Sequence, residues 1–173
     1  MAFSKQWDSY YKRNNGSEWP WSDLISYFFQ VEKYLQGNPK VLELGFGTGA
    51  NIPFFLSKRI DYFGIEGSVS AVNRAKDLFP EFDKRIINGD FSKKINYFHT
   101  KFDLIFDRAS VAHNNHEGIK KTIKLIGQNL NINGFYIGID WFGDEHFEFT
   151  NGDFIDDIYT KKFKKKDYFG GFG

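Results

Sequence analysis

The sequence predicts a doubly wound α/β fold, with a mainly parallel sheet and helices on both of its faces. From residue 40 onward, short apolar runs alternate with longer segments of helical period, which is typical of consecutive β-α-β units. No internal repeat or break in composition divides the 173 residues, so we expect a single domain. The ligand crevice of such a sheet lies at the carboxyl ends of its strands. We therefore expect the functional residues directly after the strands.

Five apolar runs are the predicted strands, and a helix is predicted before the first of them. The strands are Lys40 to Leu44, Asp61 to Glu66, Lys84 to Ile87, Phe102 to Phe106 and Phe135 to Ile139. The preceding helix is expected to have Ser22 as its N-cap and Gly37 as its C-terminal breaker. Its apolar face carries Leu24, Phe28, Val31 and Leu35.

Capping and breaking residues also set the helices between the strands. A helix with Pro53 in its first turn follows the first strand. Ser68 is expected to cap the next helix, and Pro80 to stop it. The clearest helix runs from Glu117 to Leu130 and is expected to end near Asn133-Gly134. A helix between the third and fourth strands is left open.

Composition excludes several classes of function. Without cysteine, the chain has no disulfide, no thiolate metal site and no cysteine nucleophile. Its net charge of +1 gives no strong signal of nucleic-acid binding. No apolar run approaches the roughly 20 residues of a membrane span, and the polar N-terminus lacks the apolar core of a signal peptide. We expect a cytoplasmic protein without a membrane partner, and its oligomeric state is left open.

A glycine-rich turn follows the first strand directly. Gly45, Gly47 and Gly49 alternate with other residues there, and Glu43 precedes them by two positions. Glycine allows a sharp turn and a close approach of the backbone to a ligand, and the helix that follows presents free N–H groups. Gly45, Gly47 and Ala50 also satisfy the dinucleotide pattern G-x-G-x-x-G/A, so the turn alone leaves two kinds of nucleotide cofactor open.

Acidic residues at the ends of the next two strands favour one of these cofactors. Glu66 ends the second strand, 21 residues beyond Gly45, and Asp90-Phe91 follows the third. With Glu43 and the three glycines, this order resembles the class I S-adenosylmethionine-dependent methyltransferases, which have a Rossmann-like fold. The resemblance covers residues 38 to 142. It implies S-adenosylmethionine as cofactor, with S-adenosylhomocysteine as the product.

The resemblance also implies a role for each motif residue. The three glycines line the methionine portion of the cofactor, and Glu43 lies near its ammonium group. Glu66 accepts hydrogen bonds from both ribose hydroxyls, since a carboxylate has two acceptor oxygens. Asp90 takes the adenine amino group and Phe91 meets the ring. The neighbours implied at the cofactor are Phe46, Asn51 and Gly67.

The acceptor side of the site is expected after the fourth strand. Asp107 ends that strand and His113 follows shortly after; both are candidates for acceptor contact or proton acceptance, and Asp107 also for cofactor contact. The Pro-Pro-aromatic sequence of the methyltransferases that act on DNA amino groups is absent here, so we set those substrates aside. With the resemblance to the class I family, we expect a small-molecule or sugar-like acceptor. No metal is expected, because Trp141 follows Asp140 where metal-dependent relatives carry Asn.

Aromatic residues before the first strand resemble a lid. Trp7, Tyr11 and Trp21 are expected to cover the cofactor and exclude water. This divides the single domain into a helical lid at residues 1–37, a cofactor-binding core at 38–142 and a C-terminal segment at 143–173. In that last segment we find no convincing antiparallel strand pair of the kind that closes the family fold, and we expect this edge to be shortened or different.

Two alternative functions remain open at this stage. An NAD(P)-dependent oxidoreductase would use Gly45, Gly47 and Ala50 as its fingerprint, although Tyr97 and Lys101 lie in the wrong place for the Tyr-x-x-x-Lys pair of short-chain reductases. A non-catalytic protein would keep the S-adenosylmethionine pocket without a competent acceptor site.

Overall fold

A computed structural model describes residues 5–14, 16–141, 143, 153, 154, 158 and 160–162 of the chain. At its centre is a sheet of five parallel strands in the order β3-β2-β1-β4-β5. The strands are β1 (Lys40–Leu44), β2 (Asp61–Glu66), β3 (Ile86–Asn88), β4 (Phe102–Arg108) and β5 (Leu130–Ile139). This confirms the predicted fold class. All five strands were predicted, three of them with different ends.

Five helices surround the sheet in the described part of the chain. They are α1 (Lys5–Arg13), α2 (Ser22–Glu32), α3 (Ile52–Ser57), α4 (Val69–Leu78) and α5 (His116–Asn129). Short 3₁₀ turns lie at Pro80–Phe82 and Val111–His113. None of the described helices combines the length and apolar character of a membrane span.

The sequence predicted the cap of α4 correctly and that of α2 incorrectly. Ser68 precedes α4, and its hydroxyl accepts a hydrogen bond from the Ala71 amide at 3.1 Å. Ser22 lies within α2 instead of capping it, since Trp21 occupies the cap position without a side-chain hydrogen bond. The helix also ends at Glu32, before the predicted breaker. Between β3 and β4, residues 89–101 form turns and no helix.

The fifth strand begins earlier than predicted. Leu130, the residue predicted to end the preceding helix, already pairs with Phe102 of β4. Asn133 adopts a left-handed conformation with φ of 65°, and the register between β4 and β5 shifts close by. The turn signal Asn133-Gly134 therefore marks an irregularity within β5, and α5 ends before it.

Helices cover both faces of the sheet, and side chains of alternate strand residues point to opposite faces. One core contains Val41, Tyr62 and Phe106 together with Leu24 and Phe28 of α2. The other consists of buried residues on the second face: Leu42, Leu44, Ile65, Phe91, Ile95, Phe102, Ile105, Val111 and Ile126. The two cores fix the strands so that β1, β2 and β4 end side by side.

A short antiparallel pair, which the sequence did not predict, follows the main sheet in the chain and does not extend it. Asp153–Phe154 (β6) pairs with Lys161–Lys162 (β7) in a sheet of its own. The rest of the predicted C-terminal segment lies largely outside the described residues.

Candidate functional site

The glycine turn lies at the carboxyl end of β1, where the sequence predicted it. Gly45, Gly47 and Gly49 have φ values of 78°, 57° and 90°, in the left-handed region that favours glycine. A Cβ atom on Gly45 would overlap the side chain of Ser110, and one on Gly47 would lie 2.7 Å from the hydroxyl oxygen of Tyr11. The turn therefore needs glycine for its conformation and for the close packing around it.

Glu43 is buried beneath this turn and is hydrogen-bonded to two other side chains. Its carboxylate accepts a hydrogen bond from Asn51 Nδ2 at 2.8 Å and one from the Tyr62 hydroxyl at 2.6 Å. Burial raises the pKa of Glu43 to about 7, although these two hydrogen bonds act in the opposite direction. A cation placed next to this carboxylate would favour its ionised form.

Glu66 lies across the turn at the end of β2. Its Oε2 accepts a hydrogen bond from the Gly47 amide at 2.9 Å, and its Oε1 accepts one from the Ser68 amide at 2.7 Å. Burial raises its pKa, and the backbone hydrogen bonds, which include one from Gly67, lower it. The carboxylate thus connects the glycine turn with the beginning of α4.

Asp90 and Phe91 follow β3 and have different surroundings. Asp90 Oδ1 accepts hydrogen bonds from the amide and hydroxyl of Ser92 at 3.1 and 2.6 Å, and Oδ2 pairs with Lys93 at 3.3 Å. Phe91 is 8% exposed and packs in the second core, next to Gly45. Both residues lie near the carboxyl edge, with Phe91 on the inner side.

Asp107 at the end of β4 is fully buried and receives several hydrogen bonds. Its Oδ1 accepts from the amides of Ser110 and Val111 at 3.2 and 2.9 Å. Its Oδ2 accepts from the Tyr136 hydroxyl and from Trp141 Nε1. Burial raises the pKa of Asp107, against the effect of these donors. The carboxylate holds together the turn after β4 and two aromatic residues of the β5 region.

Arg108 forms ion pairs with two carboxylates, neither of which is that of its neighbour Asp107. It contacts Asp23 Oδ2 at 3.2 Å and Asp140 Oδ2 at 2.6 Å, and it stacks on the ring of Trp21 with its guanidinium carbon 3.8 Å from the ring centroid. Arg108 therefore joins α2 to the ends of β4 and β5. Within the described residues, no cluster of three or more His, Cys, Asp or Glu side chains is arranged to hold a metal ion.

His113 lies in the 3₁₀ turn after β4 and packs against the N-terminal helix. The centroids of its ring and that of Trp7 are 5.2 Å apart in an edge-to-face arrangement. Burial lowers the pKa of His113 to about 4, so the imidazole is neutral at pH 7. This position places it between α1 and the turn that carries Ser110 and Val111.

The three predicted lid aromatics lie in two places. Trp7 and Tyr11 are on α1, with their rings stacked at 6.2 Å, and Tyr11 reaches the glycine turn. Trp21 lies apart from them at the beginning of α2, where its amide donates to Asn51 Oδ1 at 3.2 Å and its ring packs under Arg108. Of these two places, α1 is the one whose side chain packs directly on the glycine turn.

The structure also places the remaining predicted cofactor neighbours. Phe46 is 4% exposed, and its ring packs over Gly64 in the first core, so only its backbone faces the turn. Asn51 links Glu43 to Trp21. Gly67 lies between Glu66 and Ser68 at the end of β2.

Sequence reasoning missed several residues of this site. Asp8 of α1 accepts hydrogen bonds from Ser68 and Ser70, and Ser110 packs on Gly45. Tyr136 reaches Asp107 from the neighbouring strand. The alternation of apolar residues in β5 gave a weak signal for Tyr136, but nothing local in the sequence connects residue 8 with residue 68.

Comparison with known proteins decides the family. The sequence matches a family described as "Methyltransferase domain" over residues 41–134, which is more than half of the chain and includes most of the five-stranded sheet. The chain belongs to this family. No curated protein matches the sequence of this chain.

Solved structures share the fold of the methyltransferase domain. An S-adenosylmethionine-dependent methyltransferase from Clostridium acetobutylicum ATCC 824 gives a TM-score of 0.57 at 24% identity, over 68% of this chain and 48% of that one. A TehB-like S-adenosylmethionine-dependent methyltransferase from Corynebacterium glutamicum ATCC 13032 gives 0.56 at 22% identity, over 77% and 72%. The glycopeptide N-methyltransferase MtfA, solved with S-adenosylmethionine, gives 0.56 at 17% identity, over 67% and 52%.

These likenesses establish that the methyltransferase domain has the class I, Rossmann-like fold. The chain spans about half the length of the first and the third of these proteins.

Proposed function

We propose that this methyltransferase domain binds S-adenosylmethionine at the carboxyl edge of its sheet and transfers the methyl group to a small-molecule or sugar-like acceptor. The observation that carries the proposal is a row of buried carboxylates around three left-handed glycines. Glu43, Glu66 and Asp107 lie at or next to the ends of three adjacent strands, and each is 5% exposed or less. Buried carboxylates are costly unless they have partners, and they concentrate at functional sites.

The residues present fit this cofactor. The two oxygens of Glu66 accept backbone hydrogen bonds from Gly47 and Ser68, and a carboxylate oxygen can accept more than one hydrogen bond, which suits the adjacent hydroxyls of a ribose. Glu43 has a pKa near neutrality, so a ligand ammonium group close to it would stabilise its charge. Asp90 lies one strand further along the edge and is assigned to the adenine amino group. When bound, S-adenosylmethionine supplies an electrophilic methyl group on a sulfonium.

We assign the acceptor to the region after β4 and β5. Asp107 uses both oxygens to hold the turn and the rings of Tyr136 and Trp141, so we assign it to positioning these groups. His113 lies where α1 meets that turn, and we assign it to acceptor contact and transient proton acceptance. Its imidazole is neutral at pH 7 and can accept a proton, although burial makes it a weak base. A glycopeptide N-methyltransferase among the similar structures is in keeping with a sugar-bearing acceptor. That the protein is located in the cytoplasm stays a prediction from the sequence.

The proposal is tested by a thermal-shift and calorimetric titration with S-adenosylhomocysteine, NADH and NADPH. A ligand that binds only the native state raises its stability, by about 2.7 kcal/mol at a hundredfold excess over Kd. We expect stabilisation by S-adenosylhomocysteine alone. Stabilisation by a nicotinamide cofactor instead would contradict the proposal and identify Gly45, Gly47 and Ala50 as a dinucleotide fingerprint. Binding of S-adenosylhomocysteine without methylation of any acceptor in a broad panel would indicate a non-catalytic binding protein.

A further inference from the structure

The N-terminal helix α1 lies over the site and contributes little to the core. It has no buried residue along Lys5–Arg13. The chain beyond it is fixed at Gly16, which has φ of 73°, and at Ser17, whose carbonyl accepts a hydrogen bond from Thr48 Oγ1 at 3.3 Å. Among the described residues, α1 is therefore held by partly exposed side chains and not by buried ones.

The principal polar contact is made by Asp8. Its Oδ1 accepts hydrogen bonds from Ser68 Oγ and from the Ser70 amide, both at 2.9 Å. Its Oδ2 pairs with Lys12 on the same helix at 3.0 Å. Asp8 thus caps the first turn of α4 from a distant part of the chain, where a carboxylate interacts favourably with the free amides and the helix dipole. The hydrogen bond from the Ser70 amide, followed by that with Lys12, holds the pKa of Asp8 well below its usual range.

Ser68 connects this contact to the proposed ribose carboxylate. Its hydroxyl donates to Asp8, and its amide donates to Glu66 Oε1 at 2.7 Å. The other oxygen of Glu66 accepts from the amide of Gly47, the residue on which the Tyr11 hydroxyl packs. Asp8 and Tyr11 of α1 therefore approach Glu66 from two sides, through Ser68 and through Gly47.

We propose that Asp8 is a positioning residue that holds α1 closed over the bound cofactor and couples the closure of α1 to the occupancy of Glu66. This inference rests on the proposed function. A ligand held by Glu66 would lie beside Tyr11 and under α1, so α1 must lift before the ligand enters or leaves. Ligand contacts at Glu66 and the closing contact at Asp8 share Ser68, and by linkage each stabilises the other.

The test compares Asp8→Asn with the matched control Ser9→Ala, which changes an exposed side chain on the same helix. The dissociation rate of S-adenosylhomocysteine is measured by stopped flow, and amide hydrogen exchange of residues 5–13 is measured with and without this ligand. For Asp8→Asn we expect dissociation to be about tenfold faster, the size of a typical capping contact. We also expect ligand binding to slow exchange in α1 of the wild type and of Ser9→Ala, and much less in Asp8→Asn.

The unfolding midpoint separates positioning from a general loss of structure. Because α1 has no buried residue, we expect the urea midpoint to fall in Asp8→Asn by no more than the loss of one capping contact explains, and to be unchanged in Ser9→Ala. Unchanged dissociation in Asp8→Asn, or tighter binding as expected if α1 were an inhibitory plug, would overturn the coupling while leaving the proposed function intact. Failure of the wild type to bind S-adenosylhomocysteine would overturn the proposed function, and the coupling with it.

Discussion

At the scale of single residues, the acidic groups of the site show how burial sets their chemistry. Glu43, Glu66 and Asp107 all have raised pKa values, and in each case burial is the main cause. Each is nevertheless surrounded by hydrogen-bond donors, which makes the buried carboxylate tolerable. The fold therefore bears a cost in stability to keep acceptors at the carboxyl edge of the sheet.

For Glu43 this cost predicts a dependence of stability on pH. Its folded pKa of about 7 lies above the usual value, so between about pH 4.5 and 7 the native state binds more protons than the unfolded state. The free energy of unfolding should therefore fall as the pH rises through this range. We expect the free energy of unfolding, measured by urea titration from pH 5 to 8, to fall less in Glu43→Gln than in the wild type. The difference should be roughly 1–3 kcal/mol. Parallel pH profiles for the variant and the wild type would contradict it.

At the scale of elements, the contacts of Arg108 with Asp23, Asp140 and Trp21, here called the Arg108 clamp, fix α2 to the ends of two strands. The guanidinium group contacts two carboxylates and an aromatic ring at once, which the ammonium group of lysine does not reproduce. Arg108→Lys should lower the free energy of unfolding by about 1–2 kcal/mol in urea titration.

A matched control for this clamp is Lys120→Met in α5. Lys120 pairs with Glu117 on the exposed surface, where ion pairs contribute about 0–1 kcal/mol, so the control should have a clearly smaller effect. Equal losses in the two variants would show that the clamp adds no more stability than a surface pair.

Local signals in the sequence predicted most elements, and the errors have identifiable causes. Ser68 caps α4 as expected because its hydroxyl reaches an amide three residues ahead, which is a local arrangement. Ser22 has the same side chain, yet α2 begins one residue earlier, with Trp21 fixed by Asn51 and Arg108. At Leu130, pairing with β4 overrides the helical pattern. Tertiary contacts decided the elements that the local pattern misplaced.

At the scale of the whole molecule, the strand order determines which distant residues meet. The order β3-β2-β1-β4-β5 brings the ends of β1, β2 and β4 together, so residues predicted after these strands do lie along one edge. The contact of Asp8 with Ser68 and that of Tyr136 with Asp107 join segments far apart in the chain. The sequence therefore predicted which residues lie at the strand ends and not the contacts that position α1.

Calorimetric titration of Glu66→Ala with S-adenosylhomocysteine tests whether Glu66 holds a nucleoside cofactor. Asp61→Ala is the matched control, since Asp61 lies at the opposite end of β2 and pairs with Arg85. We predict that binding is weakened at least about tenfold in Glu66→Ala, as expected for the loss of hydrogen bonds to a charged acceptor, and is retained in Asp61→Ala. Unchanged affinity in a folded Glu66→Ala variant would show that Glu66 does not hold the cofactor.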